Sequence, residues 1–338
     1  MCTLYERKQS CRENCEIHMS SNSNLVSAKI VRNDEYYTRL EDVEGELSHY
    51  PGAFQDKVVL LPCDSANRSA FWTYFENNFN ALGLRRLIAT LWNEEGKGRK
   101  SVLEHDSCGE LVRCDSELSG NGDMFSDEIK AIMSDADLVV TNVPFSRFRD
   151  CVRLMMDLDL DFVIIGGKNG GKYQDTIQYV VDGKMRLGVN AGHGTMTFEV
   201  EDGTCAAVGS YWYTTLVPDV PPRSLEMTHH YAGNEKSYPK YANYDAIEVS
   251  KVSLIPSDYM GRMGVPVTFL EYYDPDRWEL LGTNATVLKD APQDPEIKAN
   301  SHLYRRHNLY IEEEGGEYKY RRIYDRLIIQ RRGEDPSE

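Results

Sequence analysis

Residues 136–146 have the sequence Ala-Asp-Leu-Val-Val-Thr-Asn-Val-Pro-Phe-Ser, and this stretch decides how the rest of the chain is interpreted. The apolar run Leu138–Val140, bounded by polar residues, is typical of a buried strand in a parallel sheet. The tetrapeptide 142–145 follows, and Ser146 is predicted to open a helix with apolar residues at helical spacing. Because ligands of open α/β sheets bind beyond the carboxyl ends of strands, this placement favours a functional site.

The tetrapeptide carries the groups needed to hold a planar amine. The side-chain oxygen of Asn142 and the carbonyl of Pro144 can accept hydrogen bonds from an exocyclic amine, and the ring of Phe145 offers a stacking face. Together they predict methyl transfer to that amine. The alternative is a structural turn with Phe145 in the core, because so loose a motif also occurs by chance.

The composition is that of a soluble globular protein, with 41% hydrophobic and 27% charged residues in 338. No apolar run is long enough to cross a bilayer, and the N-terminus lacks the apolar core of a signal peptide. We therefore expect a cytoplasmic protein without a membrane partner. The net charge of −16 argues against non-specific coating of nucleic acid, although it permits a local basic face.

The eight cysteines are expected to be free thiols, because the chain is long and shows no export signal. Cys11, Cys15 and His18 lie close together in the sequence, but their spacing matches no common zinc module. We predict no metal site.

The order of apolar segments predicts an α/β fold with a parallel sheet. Buried-strand patterns at 57–61 and 87–89 flank a helix with apolar residues at core spacing, and another strand is expected at 161–167. Residues 94–120 are predicted to form a hairpin or loop. Residues 185–189, 196–200 and 206–217 have the pattern of sheet-edge strands.

Changes in composition predict three regions. Residues 1–30 are polar and are expected to form a flexible extension. Residues 31–217 carry the sheet pattern and form the predicted catalytic domain. A Pro-rich breaker at 218–222 marks the boundary with residues 218–338.

The turn after the first buried strand indicates a cofactor without phosphate. It has no Gly-x-Gly-x-x-Gly, but it contains Asp64, which suits the amino group or ribose hydroxyls of S-adenosylmethionine. Asp123 is expected to accept from the adenine amine of this cofactor. Asp34, Tyr36 and Thr38 belong to a polar-aromatic cluster that could close over it. The alternatives are a helix N-cap for Asp64, a solvated turn for Asp123 and surface packing for the others.

Several further segments give the chain a family resemblance. The sequence resembles the EcoRI-type adenine-specific DNA methyltransferases over residues 31–282, and the first 30 residues and the tail after about 285 lie outside the clear match. The strongest match runs from Ser237 to Ile247 and continues through 255–270. Shorter family-like segments occupy 33–38, 82–89 and 140–146.

This resemblance implies a Rossmann-like S-adenosylmethionine-dependent methyltransferase sheet with a C-terminal target-recognition region. It implies transfer of a methyl group to adenine N6 at a specific site in double-stranded DNA by a monomer. An endonuclease acting on the same site without binding the enzyme is left open. The family pattern is usually Asn-Pro-Pro-Phe, whereas this chain has Val143 at the second position. The alternatives are N-methylation of RNA adenine or protein glutamine, or a non-catalytic DNA-mimicking regulator on the same scaffold.

The predicted DNA-binding residues lie mostly in the C-terminal region. Trp212 is expected to line the base pocket, unless its aromatic strand is simply packed. Polar residues of 230–270 are expected to read base edges, and basic side chains there and in the tail to contact phosphates. These residues are Lys240, Asn243, Tyr244, Arg262, Arg321 and Arg322. The alternative for the tail is a solvated hairpin that pairs 309–311 with 323–329.

Overall fold

The computed structural model describes residues 37–190, 194–200, 204–313 and 315–333. The predictions for residues 1–30, for Asp34 and for Tyr36 lie outside the described residues. Among the described residues the longest helix has 13 residues, and none combines the length and apolarity that a membrane crossing would require.

A mixed eight-stranded sheet forms the centre of the protein. Its strands are β2 (Val58–Pro62), β3 (Arg86–Leu91), β4 (Arg99–His105), β5 (Leu111–Glu117), β6 (Leu138–Asn142), β7 (Asp161–Gly167), β8 (Arg186–Leu187) and β11 (Ser210–Thr214). The spatial order is β5-β4-β3-β2-β6-β7-β11-β8. The neighbours β3, β2, β6 and β7 are parallel, so their carboxyl ends share one edge. This α/β arrangement confirms the predicted Rossmann-like fold class.

Helices cover both faces of this sheet because the apolar residues of each repeat at helical spacing. These helices are α1 (Leu40–Leu47), α2 (Ala70–Leu82), α3 (Asp127–Ser134), α4 (Phe148–Asp157) and α5 (Gln174–Val181), whereas α6 (Asn284–Val287) and α7 (Pro295–Ala299) belong to the region after residue 218. Ser69 caps α2, and Gly83 ends it with a φ of 64°. The prediction that Ser146 opens α4 is wrong. Ser146 lies instead in a 3-10 turn at Phe145–Arg147, directly before the helix.

The segment predicted as one strand at 206–217 is divided between two sheets. The chain leaves β10 (Cys205–Val208) at Gly209 and enters the large sheet as β11. β10 pairs with β9 (Met196–Glu199), and β9 pairs with β1 (Tyr37–Thr38). This small sheet brings Phe198 against Phe145, with their ring centroids 6.4 Å apart. Residues 94–120, predicted as a hairpin or loop, form the hairpin β4–β5 and extend the large sheet.

The residues after 218 form two further sheets. Their strands are β12 (Ile247–Glu248), β13 (Met263–Val265), β14 (Trp278–Thr283), β15 (Tyr310–Glu312), β16 (Tyr320–Arg322) and β17 (Leu327–Arg331). The tail hairpin pairs β15 with β16, and the Ile323 amide donates to the Leu309 carbonyl at 2.8 Å. Residues 327–329, which were predicted to join this hairpin, instead belong to β17, which lies between β13 and β14. Buried residues of both regions share one core cluster, in which Phe269 and Trp278 join Phe148 and Ile177. The boundary at 218 stays a prediction.

Candidate active site

Three neighbouring strands of the large sheet end at one cavity. The carboxyl ends of β2, β3 and β6 surround a space of about 400 Å³, within the range of small-molecule sites. The lining residues are Tyr37, Thr38, Cys63, Asp64, Ser65, Arg68, Ser69, Ala70, Phe71, Leu91, Trp92, Asn142, Val143, Pro144 and Phe145. The cavity therefore brings together the predicted residues Thr38, Asp64, Asn142, Pro144 and Phe145.

Asp64 lines this cavity, and its carboxyl is energetically costly to ionise. Burial raises the pKa of its carboxyl from 3.8 to about 6, although hydrogen bonds from Thr141 and Ser69 oppose the shift. The preceding Cys63 has a φ of 63°, which is uncommon for a residue with a side chain. Asp64 is not the cap of α2, because Ser69 accepts from the amides of Phe71 and Trp72.

Thr141 connects the acid to the tetrapeptide, and sequence analysis missed it. Its hydroxyl is fully buried and lies 2.8 Å from both the Asp64 carboxylate and the Pro62 carbonyl, so two acceptors share one proton. Asn142 is the next residue. The ends of β2 and β6 are therefore fastened to each other at the site.

Two other residues of the cavity were also missed. Trp92 follows β3 and is 47% exposed at the cavity, where an aromatic face is available to a ligand. Arg68 lies with its guanidinium carbon 4.5 Å from the centre of the Tyr37 ring. The sequence signal for Trp92 is an aromatic residue three positions after the strand predicted at 87–89, and it directly follows the observed β3. The buried hydroxyl of Thr38 has no hydrogen-bond partner among the described residues, as expected for a group that a ligand would satisfy.

The tetrapeptide continues from β6 into the cavity wall. Asn142 is the last residue of β6 and lies opposite Ile165 of β7. The Pro144 carbonyl accepts from the Arg147 amide at 2.9 Å and keeps its second lone pair for another donor. Phe145 is half-buried, lines the cavity and meets Phe198 edge to face. It thus combines a packed edge with a ring at the cavity.

Val143 has a structural role that proline could not fill completely. Its side chain is 2% exposed within the core cluster that contains Phe148. Its amide donates to the Ile165 carbonyl at 3.3 Å, extending the contact between β6 and β7 by one residue. Proline has no such donor.

Two predicted ligand residues do not line the cavity. Asp123 is exposed and accepts from the Phe125 amide at 3.0 Å. Burial raises the pKa of Cys63 to about 12, and the charges of Asp64 and then Asp123 add to this shift. Asp123 is thus near the cavity without lining it. Trp212 is completely buried and packs edge to face on Phe71. Its burial argues against contact with a base and favours the alternative, that the aromatic strand is simply packed.

The predicted base-reading residues lie apart from the cavity, in the C-terminal region. Asn243 holds the chain together: its amide donates to the Asn308 carbonyl at 2.9 Å, and its oxygen accepts from the Tyr310 amide at 3.1 Å. Arg262 is exposed and lies 5.8 Å from the centre of the Tyr244 ring. Lys240 is also exposed and lies three positions before Asn243 in the sequence. Asn243 therefore has a structural role that the sequence did not predict.

The two tail arginines differ in their electrostatic surroundings. Arg321 forms an ion pair with Glu313, so its charge is largely neutralised. Arg322 donates to the Leu303 carbonyl at 3.4 Å and has no carboxylate partner among the described residues.

Comparison with known proteins identifies the family of this chain. The family model described as adenine-specific methyltransferase EcoRI matches residues 24–332. Residues 24–30 and the tail from 285 to 332 therefore belong to the match, which corrects the expected bounds of 31–282. The chain is 37% identical to the Type II methyltransferase M.EcoRI of Escherichia coli, over 78% of this chain and 89% of that protein. It is 33% identical to the Type II methyltransferase M.MpnI of Mycoplasma pneumoniae, over 90% and 97%. The chain therefore belongs to the EcoRI family of adenine-specific methyltransferases.

Proposed function

We propose that this protein methylates N6 of adenine at a specific site in double-stranded DNA, with S-adenosylmethionine as methyl donor. The observation that carries the proposal is the meeting of Asp64 and the tetrapeptide 142–145 at one cavity. The names of the relatives support DNA as the substrate. As part of the proposal the enzyme acts as a cytoplasmic monomer, and any endonuclease of the same specificity acts without binding it.

The cavity residues fit S-adenosylmethionine better than a phosphate-bearing cofactor. Asp64 can accept hydrogen bonds from a cationic or hydroxyl donor, and the buried Thr38 hydroxyl can form a hydrogen bond with a polar group of the cofactor. Trp92 offers an apolar face. Ionising Asp64 is unfavourable without a ligand, and a cation would relieve that cost. When bound, the cofactor supplies an electrophilic methyl group.

The tetrapeptide would hold the acceptor. Asn142 and the Pro144 carbonyl would accept from the two hydrogens of the adenine amine, which would leave the nitrogen lone pair directed at the methyl group that the cofactor supplies. The methyl–sulfur bonding pair would stay with sulfur, and one amine proton would pass to solvent. Alignment, rather than a strong base, would provide most of the rate.

The target adenine has to leave the duplex to reach this position. Extrusion costs a few kcal/mol in unstacking and unpairing. Stacking on Phe145 would offset about 1–3 kcal/mol of that cost, as base–aromatic contacts do elsewhere. The Phe198 contact keeps the ring in place in advance.

The decisive experiment replaces Asn142 by alanine. Genomic DNA from cells that express the wild type is sequenced with detection of modified adenine, and the Asn142→Ala variant is compared. We expect one methylated motif for the wild type and none for the variant. Calorimetric titration should show unchanged cofactor affinity, because Asn142 is assigned to the substrate amine. Methylation of RNA or protein, but not DNA, by the wild type would refute the proposal.

A further inference from the structure

A glycine- and lysine-rich loop begins at the last two residues of β7 and lies beside the tetrapeptide. Its sequence, residues 166–172, is Gly-Gly-Lys-Asn-Gly-Gly-Lys, and residues 168–172 form a 3-10 turn. Because Asn142 pairs with Ile165, Gly166 and Gly167 continue alongside residues 143–145 while they pair with β11. A Cβ on Gly167 would lie 3.5 Å from the ring of Phe145.

The loop is built rigidly. The buried hydroxyl of Tyr213 donates to the Gly167 carbonyl and accepts from the Gly171 amide, both at 3.0 Å. A Cβ on Gly166 or Gly170 would lie 2.1 Å or 2.6 Å from the ring of Phe148, so both positions need glycine. The backbone is therefore fixed before any ligand arrives, which limits the entropy lost on binding.

The charges of the loop distinguish it from its surroundings. Lys168 and Lys172 have no ion pair among the described residues, whereas the arginines on the neighbouring helix α4 have carboxylate partners. Arg149 and Arg153 both pair with Asp175 of α5. Lys168 is half-buried, with its ammonium 5.4 Å from the centre of the Tyr211 ring, and Lys172 is exposed. The two lysines of this loop are therefore available to an anionic ligand that lies beside the tetrapeptide.

The position of the loop indicates which anion. The cavity assigned to the methyl donor occupies the β2 and β3 side of the tetrapeptide, which leaves the β7 side for the acceptor nucleotide. We propose that Lys168 and Lys172 bind the DNA phosphates that flank the extruded adenine. This rests on the proposed function and adds to it a phosphate-binding site outside the C-terminal region.

The test compares salt dependence of DNA binding. The probe is a fluorescent 30-base-pair duplex that contains the adenine identified by sequencing, measured by anisotropy from 50 to 200 mM salt. Each lost phosphate contact lowers the slope of log affinity against log salt by about one unit. We expect Lys168→Gln and Lys172→Gln each to do so, and the double variant to lose about two units. Lys184→Gln is the matched control, because this exposed lysine follows α5 at the opposite edge of the sheet.

A second duplex locates the contact. It carries uncharged methylphosphonates at the two phosphates flanking the target adenine. This change should lower the slope for the wild type and leave it unchanged for the double variant. Equal slopes for the double variant and the wild type on the unmodified duplex would overturn the inference. It would also be overturned if the slope of the double variant were lower on the methylphosphonate duplex than on the unmodified one. If the wild type methylates no DNA, the proposed function itself fails, which the sequencing experiment reports separately.

Discussion

Asp64 allows a prediction that separates a ligand-binding acid from a structural one. In Asp64→Asn the side chain keeps its shape and an oxygen that can accept from Thr141, but it loses the charge. If the carboxylate is held for a cation, the ligand-free protein should become more stable on this substitution, while cofactor affinity falls. If Asp64 had a purely structural role, this substitution would instead lower the stability of the ligand-free protein.

The magnitude follows from the raised pKa. Its shift from 3.8 to about 6 makes ionisation in the folded state cost about 3 kcal/mol at pH 7.5. The advantage of the neutral form is complete below pH 3.8 and is lost as the pH rises through 6. At pH 4.5 the remaining cost is about 1 kcal/mol. Asp64→Asn should therefore be more stable than the wild type by up to about 3 kcal/mol at pH 7.5, and by much less at pH 4.5.

Thermal unfolding at the two pH values, with and without S-adenosylmethionine, measures this difference. We expect the variant to melt higher than the wild type at pH 7.5 and the difference to shrink at pH 4.5. Added cofactor should raise the melting temperature of the wild type more than that of the variant. A variant that melts lower at pH 7.5 and binds the cofactor as tightly would refute the reasoning and make Asp64 a structural residue.

Three more predictions concern the same surfaces. Thr141→Val should weaken cofactor binding about tenfold in calorimetry. A hydrogen bond to a charged group contributes about 1.5–3 kcal/mol, and here the Thr141 hydroxyl shares its proton between the Asp64 carboxylate and a carbonyl. Thr176→Val is the control, because Thr176 is equally buried and its substitution should leave cofactor affinity unchanged. Phe145→Ala should lose activity on paired duplex and recover most of it when the target adenine is mispaired, whereas unfolding of this variant by circular dichroism would favour a core role. In salt-dependent anisotropy Arg322→Ala should lower the slope more than Arg321→Ala, because Glu313 already neutralises Arg321; equal slopes for both variants and the wild type would show that the tail does not contact DNA.

Local signals were sufficient for the parallel core of the fold. The apolar runs that became β2, β3, β6 and β7 are short, continuous and separated by helical periodicity, so their type and order follow from burial alone. Gly83 ends α2 because glycine readily adopts the positive φ found there, so the helix end also has a local cause. The motif at 142–145 could be placed at a strand end for the same reason.

Contacts between distant segments were beyond these signals. The hydrogen bond from Thr141 to Asp64 joins residues 77 positions apart, and the local sequence around neither residue predicts it. An aromatic strand does not say which face meets the core, so Trp212 was assigned to a pocket although it is completely buried. The ion pair of Arg321 depends on the register of β15 and β16, which the sequence did not determine.

The distribution of ion pairs explains how an acidic protein could bind DNA at one face. Several tail cations are already neutralised: Lys319 lies near Glu296 and Glu312, and Arg326 pairs with Glu248. Lys168 and Lys172 have no such partner among the described residues, so their charge is available at the edge where the tetrapeptide lies. Repulsion by the rest of the chain is screened beyond about 8 Å at physiological salt, whereas a lysine in contact with a phosphate acts within that distance. Contacts at the catalytic edge can therefore favour a fully docked complex, while the acidic body still disfavours a loosely held one.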